Sequence, residues 1–157
     1  MTALTIRLCD DATMVDVDGA QHVIPLGAVT LSSTEFSSDP PRPEELTNAI
    51  GVVVDHLDDM VRALPQAIAA DGVCIVGDLA AVVAAVEFGG PPPMPFPLDR
   101  AAAEDVFRTV ATEASGARAL NPGLPSSAVD SIVAACCIVV TVMRYLHLDE
   151  VVVEEQS

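Results

Sequence analysis

The chain has 157 residues, the length of one ordinary domain, and half of it is hydrophobic (51%) with only 3% aromatic residues and no Trp. Its formal charge is −16, from 23 acidic residues against seven basic ones, all of them arginine. A field this negative repels nucleic acids, phosphorylated ligands and anionic membrane surfaces, and it attracts cationic protein surfaces.

The opening stretch, MTALTIRLCDDATMV, lacks the charged start, long apolar run and cleavage site of a secretory signal, so a cytoplasmic protein is expected. The stretches ALTIRLC, TMVDVD and QHVIPLGAVTL alternate in the manner of strands and are separated by Asp-rich and Asp-Gly turns. Residues 1–31 are therefore predicted to form a three-stranded antiparallel meander. Ser32, Ser33, Thr34, Ser37 and Ser38 have no Gly-x-Ser-x-Gly context and are expected in a turn.

Prolines at 40, 41 and 43 stop any strand, and PEEL starts a helix with Pro43 in its first turn and Glu44 and Glu45 facing the positive end of its dipole. Apolar Leu46, Ile50, Val53, Val54, Leu57, Met60, Val61 and Leu64 recur at helical spacing, which predicts a helix running to about Pro65. GVCIV (72–76) is an unalternated apolar run, hence a strand buried on both faces. Gly77 turns it into the helix DLAAVVAAVEF with Asp78 as N-cap, completing an α-β-α unit over 43–88.

GGPPPMPFP (89–97) is too short to link two domains and is expected to be a rigid surface connection. A helix is predicted over 98–120. After the break NPGLP, Ser126 and Ser127 are expected to cap a long apolar helix ending near His147, and EVVVEE to form a closing strand. The longest apolar run, Ile132 to Met143, is far short of the roughly 20 residues that span a bilayer. Cys9, Cys74, Cys136 and Cys137 show no C-x-x-C spacing and are expected to be reduced, buried thiols. His22, His56 and His147 share no ligand spacing, and no metal site is expected of them. The predicted whole is a single α/β domain over 1–157, in the order β-β-β-α-β-α-α-α-β.

The succession IPLGAVTL, DPPRPEEL, LDRAAAEDVFRTVA and NPGLPSSAVDSIVAACCIVVTVMRYLHLDEVVV resembles the C-terminal half of the Ppx/GppA family, the exopolyphosphatases and guanosine pentaphosphate phosphohydrolases. The resemblance is collinear over nearly the whole chain and implies the second ribonuclease-H-like subdomain of an actin-like fold. It further implies that the first subdomain, with its water-activating acid, precedes the chain's first strand and is not part of it.

The resemblance also identifies where phosphate would be handled. The family has a loop similar to D-x-G-G-G-S-T-E between its first two strands. Here the loop is RLCDDATMV: Arg7 stands for the Asp, Cys9, Asp10 and Asp11 for the glycines, Ala12 for the Ser, and only Thr13 matches. A second contact resembling G-T-x-T-T-L-A-A is here VGDLAAVV, which keeps Gly77 and puts Asp78 after it. The Arg-Ala-Asp before the last helix appears as Ala128-Val129-Asp130. Arg7, Thr13, Gly77, Asp78 and Asp130 are thus the degenerate counterparts of a phosphate site, with no catalytic residue among them.

The functional expectation is a non-catalytic, regulatory or scaffolding protein that acts through a protein partner or self-association. No cofactor is expected; magnesium belongs only to the alternative, in which polyphosphate or guanosine tetraphosphate is bound or hydrolysed with a partner half. In a further alternative the acidity mimics a polyanion, with binding that weakens steeply in salt.

Overall fold

The computed structural model of the chain describes residues 2–155; Met1 and the polar end at Gln156 and Ser157 lie outside the described residues. The N-terminal meander forms as its alternation predicts, from β1 (Ala3–Leu8), β2 (Thr13–Val17) and β3 (Ala20–Ile24). Leu4, Ile6, Leu8, Val15 and Val17 turn to the core while Thr5, Arg7, Met14 and Asp16 turn away from it. Asp18 and Gly19 both have positive φ, as a tight two-residue hairpin requires, and the Gly19 amide donates to Asp16 Oδ1.

The third strand is shorter than its sequence suggests. Pro25, Leu26 and Gly27 end it, and the chain enters a helix not expected from sequence, α1 (Ala28–Glu35). Ser32, Ser33 and Thr34 are therefore helical rather than turn residues. The Ser33 and Thr34 hydroxyls donate back to the Thr30 carbonyl, and the Ser32 hydroxyl donates to the Asp130 carbonyl at 2.9 Å.

The junction that follows is organised by one carboxylate. α2 (Pro43–Ala63) starts at its proline as expected, and Glu45, in its first turn, accepts from the Arg42 amide, the Ser37 amide and the Ser37 hydroxyl at 2.6–2.9 Å. The Ser37 hydroxyl foremost, then the Arg42 and Ser37 amides, hold the Glu45 carboxyl at about 2 against an ordinary 4.5. A depressed folded-state value stabilises the fold fully above the unfolded value, and that stabilisation is lost as pH falls. The urea midpoint of Glu45→Gln should accordingly lie below that of the parent at pH 7, with the gap closing as pH drops from about 4.5 towards 2. A gap independent of pH would show that these hydrogen bonds do not depend on the ionised carboxyl.

β4 (Gly72–Val76) pairs in parallel with β1, and α3 (Asp78–Phe88) follows it through Gly77. The cap is Gly77 itself; Asp78 is the first helical residue and contributes charge, not a capping bond. Residues 89–97 are not wholly a surface connection, because β5 (Phe96–Asp99) forms within and just beyond them at the sheet edge. Pro97 is tolerated there because an edge strand has a side without ladder bonds, while Leu98 is fully buried. Asp99 then caps α4 (Arg100–Thr112), its Oδ1 accepting from the Ala102 amide at 2.7 Å.

The helix predicted over 98–120 divides into α4 and the short α5 (Ser115–Arg118). Ser126 and Ser127 form a 3₁₀ turn with Ala128 instead of capping the last helix, α6 (Ile132–Tyr145), which begins after Ser131. α6 is buried at every position from Ile132 to Met143, including the Cys136 and Cys137 thiols, and α1, α2, α3 and α4 all pack against it. Burial pushes the Cys137 thiol up to about 12 and Cys136 in the same direction, so both are inert.

The closing strand β6 (Glu150–Glu154) completes one six-stranded sheet in the order β3-β2-β1-β4-β6-β5. β1, β4 and β6 run parallel; the other neighbours are antiparallel. One face of the sheet carries the core. On its outer face β4 is buried at Val76 but only half-buried at Cys74, whose thiol donates to Glu154 Oε2 at 2.8 Å.

Candidate functional site: the carboxyl ends of β1 and β4

In open α/β sheets, ligands sit beyond the carboxyl ends of the parallel strands, where helix N-termini and loops converge. Here that region holds the β1–β2 loop, residues 9–12, together with the N-termini of α1 and α3. The loop closes on itself through the Cys9 amide and the Ala12 carbonyl at 3.0 Å.

The N-terminus of α1 is filled from within the chain. The Ala28 amide donates to the Cys9 carbonyl at 3.2 Å, and the Val29 and Thr30 amides donate to the Asp10 carbonyl at 2.8 and 3.2 Å. The Gly27 amide is taken by the Thr30 hydroxyl at 2.8 Å. The donors that would hold an anion are thus spent on two main-chain carbonyls. Gly27 makes this seating possible, because a Cβ there would lie 2.4 Å from the Cys9 oxygen and the Asp10 carbonyl carbon.

Next to it, a hollow of about 180 Å³ is lined by Leu8, Cys9, Asp10, Asp78 and Leu79. It meets the N-terminal end of α3 and presents two carboxylates. Gly77 sits at its edge with φ +116°, and a Cβ there would fall 2.5 Å from the Leu8 carbonyl oxygen. Like charge from Asp10 and Asp78 opposes any phosphate entering this space. Among the described residues, no three His, Cys, Asp or Glu side chains converge to hold an ion; Asp10 and Asp78 are the two carboxylates that line this hollow.

The other residues identified from sequence lie elsewhere. Arg7 is on the face of the sheet away from the helices, beside Thr5, Met14 and Asp16. Thr13 is buried, its hydroxyl donating to the Leu26 carbonyl at 2.7 Å. Asp130 lines a separate hollow of about 300 Å³ with serines 32, 33, 38 and 115 and with Arg118. Of the five, only Gly77 and Asp78 meet at the β1–β2 loop.

That last hollow contains a buried residue that sequence reasoning passed over. Arg118 donates to the carbonyls of Val110, Glu113 and Val129 at 2.7–3.0 Å and lies 3.6 Å from Asp39. Asp39 in turn accepts from the Ser115 amide and hydroxyl. With three bonds to main-chain carbonyls, this arginine is a structural tie between α4, α5 and the approach to α6. Its only sequence signal is a lone cation inside an apolar, Ala-rich stretch.

A six-stranded sheet of this order, with its helices gathered on α6, matches solved structures along its full length. The exopolyphosphatase-like protein superimposes with a TM-score of 0.91 at 16% identity, covering 99% of this chain and 55% of that one. The fold is that of half a Ppx/GppA protein. The Ppx/GppA enzyme of Aquifex aeolicus gives 0.87 at 18% identity over 100% of this chain and 54% of its own. An exopolyphosphatase from Cytophaga hutchinsonii gives 0.78 at 12% identity over 99% and 54%. The chain therefore spans about half the length of these Ppx/GppA structures, and at such identities the likeness is one of fold. No family model matches the chain, and no curated protein matches it. Among the described residues, no helix is long and apolar enough to cross a membrane.

Proposed function

We propose that the protein is a cytoplasmic, non-catalytic relative of the Ppx/GppA phosphatases that acts through protein contacts. The observation that carries this reading is the filled N-terminus of α1, where the carbonyls of Cys9 and Asp10 take the amides that an anion would need. The charge of the neighbouring hollow supports it, since Asp10 and Asp78 line that space and Arg7 lies on another face. The net charge of −16 supports it further, because a phosphorylated ligand would approach against the field of the whole molecule.

Calorimetric titration with guanosine tetraphosphate and with polyphosphate, in magnesium at about 0.15 M salt, tests this reading. No heat is the expected result with either ligand. Binding at micromolar affinity would overturn it and favour a phosphate-handling protein that works with a complementary half.

A further inference from the structure

The outer face of the sheet, opposite the helices, is lined in a way that solvated faces are not. Along one row across five strands stand Val23, Met14, Arg7, Val76 and Glu154, each opposite the next in register. Thr5, Cys74 and Val152 form the middle of the adjacent row. Val23 is 55% exposed and Met14 46%, while Val76, on the other side of Arg7, is buried at 7%. Three adjacent strands of this sheet are parallel, and parallel strands are almost always covered on both faces.

The charges on this face say what covers it. Arg42, Arg62, Arg100, Arg108, Arg118 and Arg144 each have a carboxylate within ion-pair distance, whereas Arg7, among the described residues, has none. In a chain with 23 acidic residues, the one described arginine without a carboxylate is half-buried between Met14 and Val76. Asp16 stands on the next strand to one side, and Glu154, Glu150 and Asp99 lie on β6 and β5 towards the other edge. A complementary surface is apolar along its middle, has one carboxylate at its centre and is basic at its flanks.

Charge favours a single helix over a second copy. Six strands about 4.8 Å apart and about five residues long make a face of roughly 30 by 16 Å, across which one helix of about 10–12 Å diameter can lie. A second copy docked face to face would set Asp16, Glu150 and Glu154 against like charges of its own.

We propose that the outer sheet face binds one amphipathic helix of a partner protein, which places a carboxylate on Arg7 beside apolar contacts to Met14 and Val23. The proposal rests on the protein-contact reading above and names its surface. Three labelled helical peptides test it, sharing a Leu/Ala strip and Lys flanks but carrying Glu, Gln or Lys at the centre. By fluorescence anisotropy, the Glu peptide should bind about tenfold or more tighter than the Lys peptide. Arg7→Glu should reverse that order, Met14→Asp should abolish binding, and Leu120→Asp, on an exposed residue remote in sequence from the face, should change neither.

Absence of binding by all three peptides, or equal binding of the Glu and Lys peptides to parent and Arg7→Glu, would overturn the proposal. So would sedimentation showing a dimer that Met14→Asp breaks, which would give the face to a second copy. Failure of the peptides leaves the calorimetric expectation untouched, and heat from a phosphate ligand leaves the peptide result untouched, so the two readings fail separately.

Discussion

Replacement of Arg118 by Met should lower the free energy of unfolding by about 3–5 kcal/mol. Arg118 is 4% exposed and supplies Nε–H, Nη1–H and Nη2–H to three main-chain carbonyls. The Val110 carbonyl lies in the last turn of α4, where helical acceptors have no partner further along the chain, and the Glu113 carbonyl lies just past its end. Met fills much of the same space but donates nothing, so each carbonyl that is left buried costs about 1–3 kcal/mol. Loss of the Asp39 contact adds little, because Asp39 is half-exposed and keeps its bonds to Ser115. Lys should fare nearly as badly, since one ammonium on a flexible stem cannot reproduce a planar fork aimed at three acceptors. Urea unfolding at neutral pH measures both variants, and a loss below about 1 kcal/mol would mean that water replaces the guanidinium.

Gly77→Ala should cost about 3 kcal/mol or more, by a different route. The residue has φ +116°, which side chains rarely adopt, and its new Cβ would stand 2.5 Å from the Leu8 carbonyl oxygen. Backbone, not a mobile side chain, is what must move. The end of β1 and the start of α3 would separate, and the β1–β2 loop would shift on α1. Gly51→Ala is the matched control: it lies within α2, nothing stands within 4 Å of its added Cβ, and it should stabilise the protein by about 0.5–1 kcal/mol. Thermal or urea unfolding of the pair separates the cost of the turn from any general effect of a methyl group. Equal behaviour of the two would show that the Gly77 turn relaxes freely.

Much of this architecture was legible from residue spacing. β1 and β2 show a period of two, α2 shows apolar positions three and four apart, and Pro43 with Glu44 and Glu45 marks the start of α2 to the residue. α1 was not legible because Ala-Val-Thr-Leu is a good strand sequence. Its helical form depends on carbonyls of Cys9 and Asp10, some twenty positions earlier in the chain, which no local pattern reveals. β5 was hidden by the prolines around it, since an edge position that tolerates Pro97 is a property of the sheet and not of the segment.

The candidate site was legible only as a family of positions. Resemblance grouped Arg7 and Thr13 in one phosphate loop, yet strand alternation already separates them. Leu4, Ile6 and Leu8 face the core, which turns Arg7 outward, while Thr13 shares the inward face of Val15 and Val17. A loop seated on a helix end, and a buried arginine holding three carbonyls, are tertiary arrangements with no fixed spacing in sequence.

α6 gives the molecule its character as a mechanical unit. Because it is buried from Ile132 to Met143 and supports α1, α2, α3 and α4 together, no peripheral helix can detach without wetting it. The amides along α6 are expected to be among the slowest in the chain to exchange with solvent, and hydrogen exchange measures this.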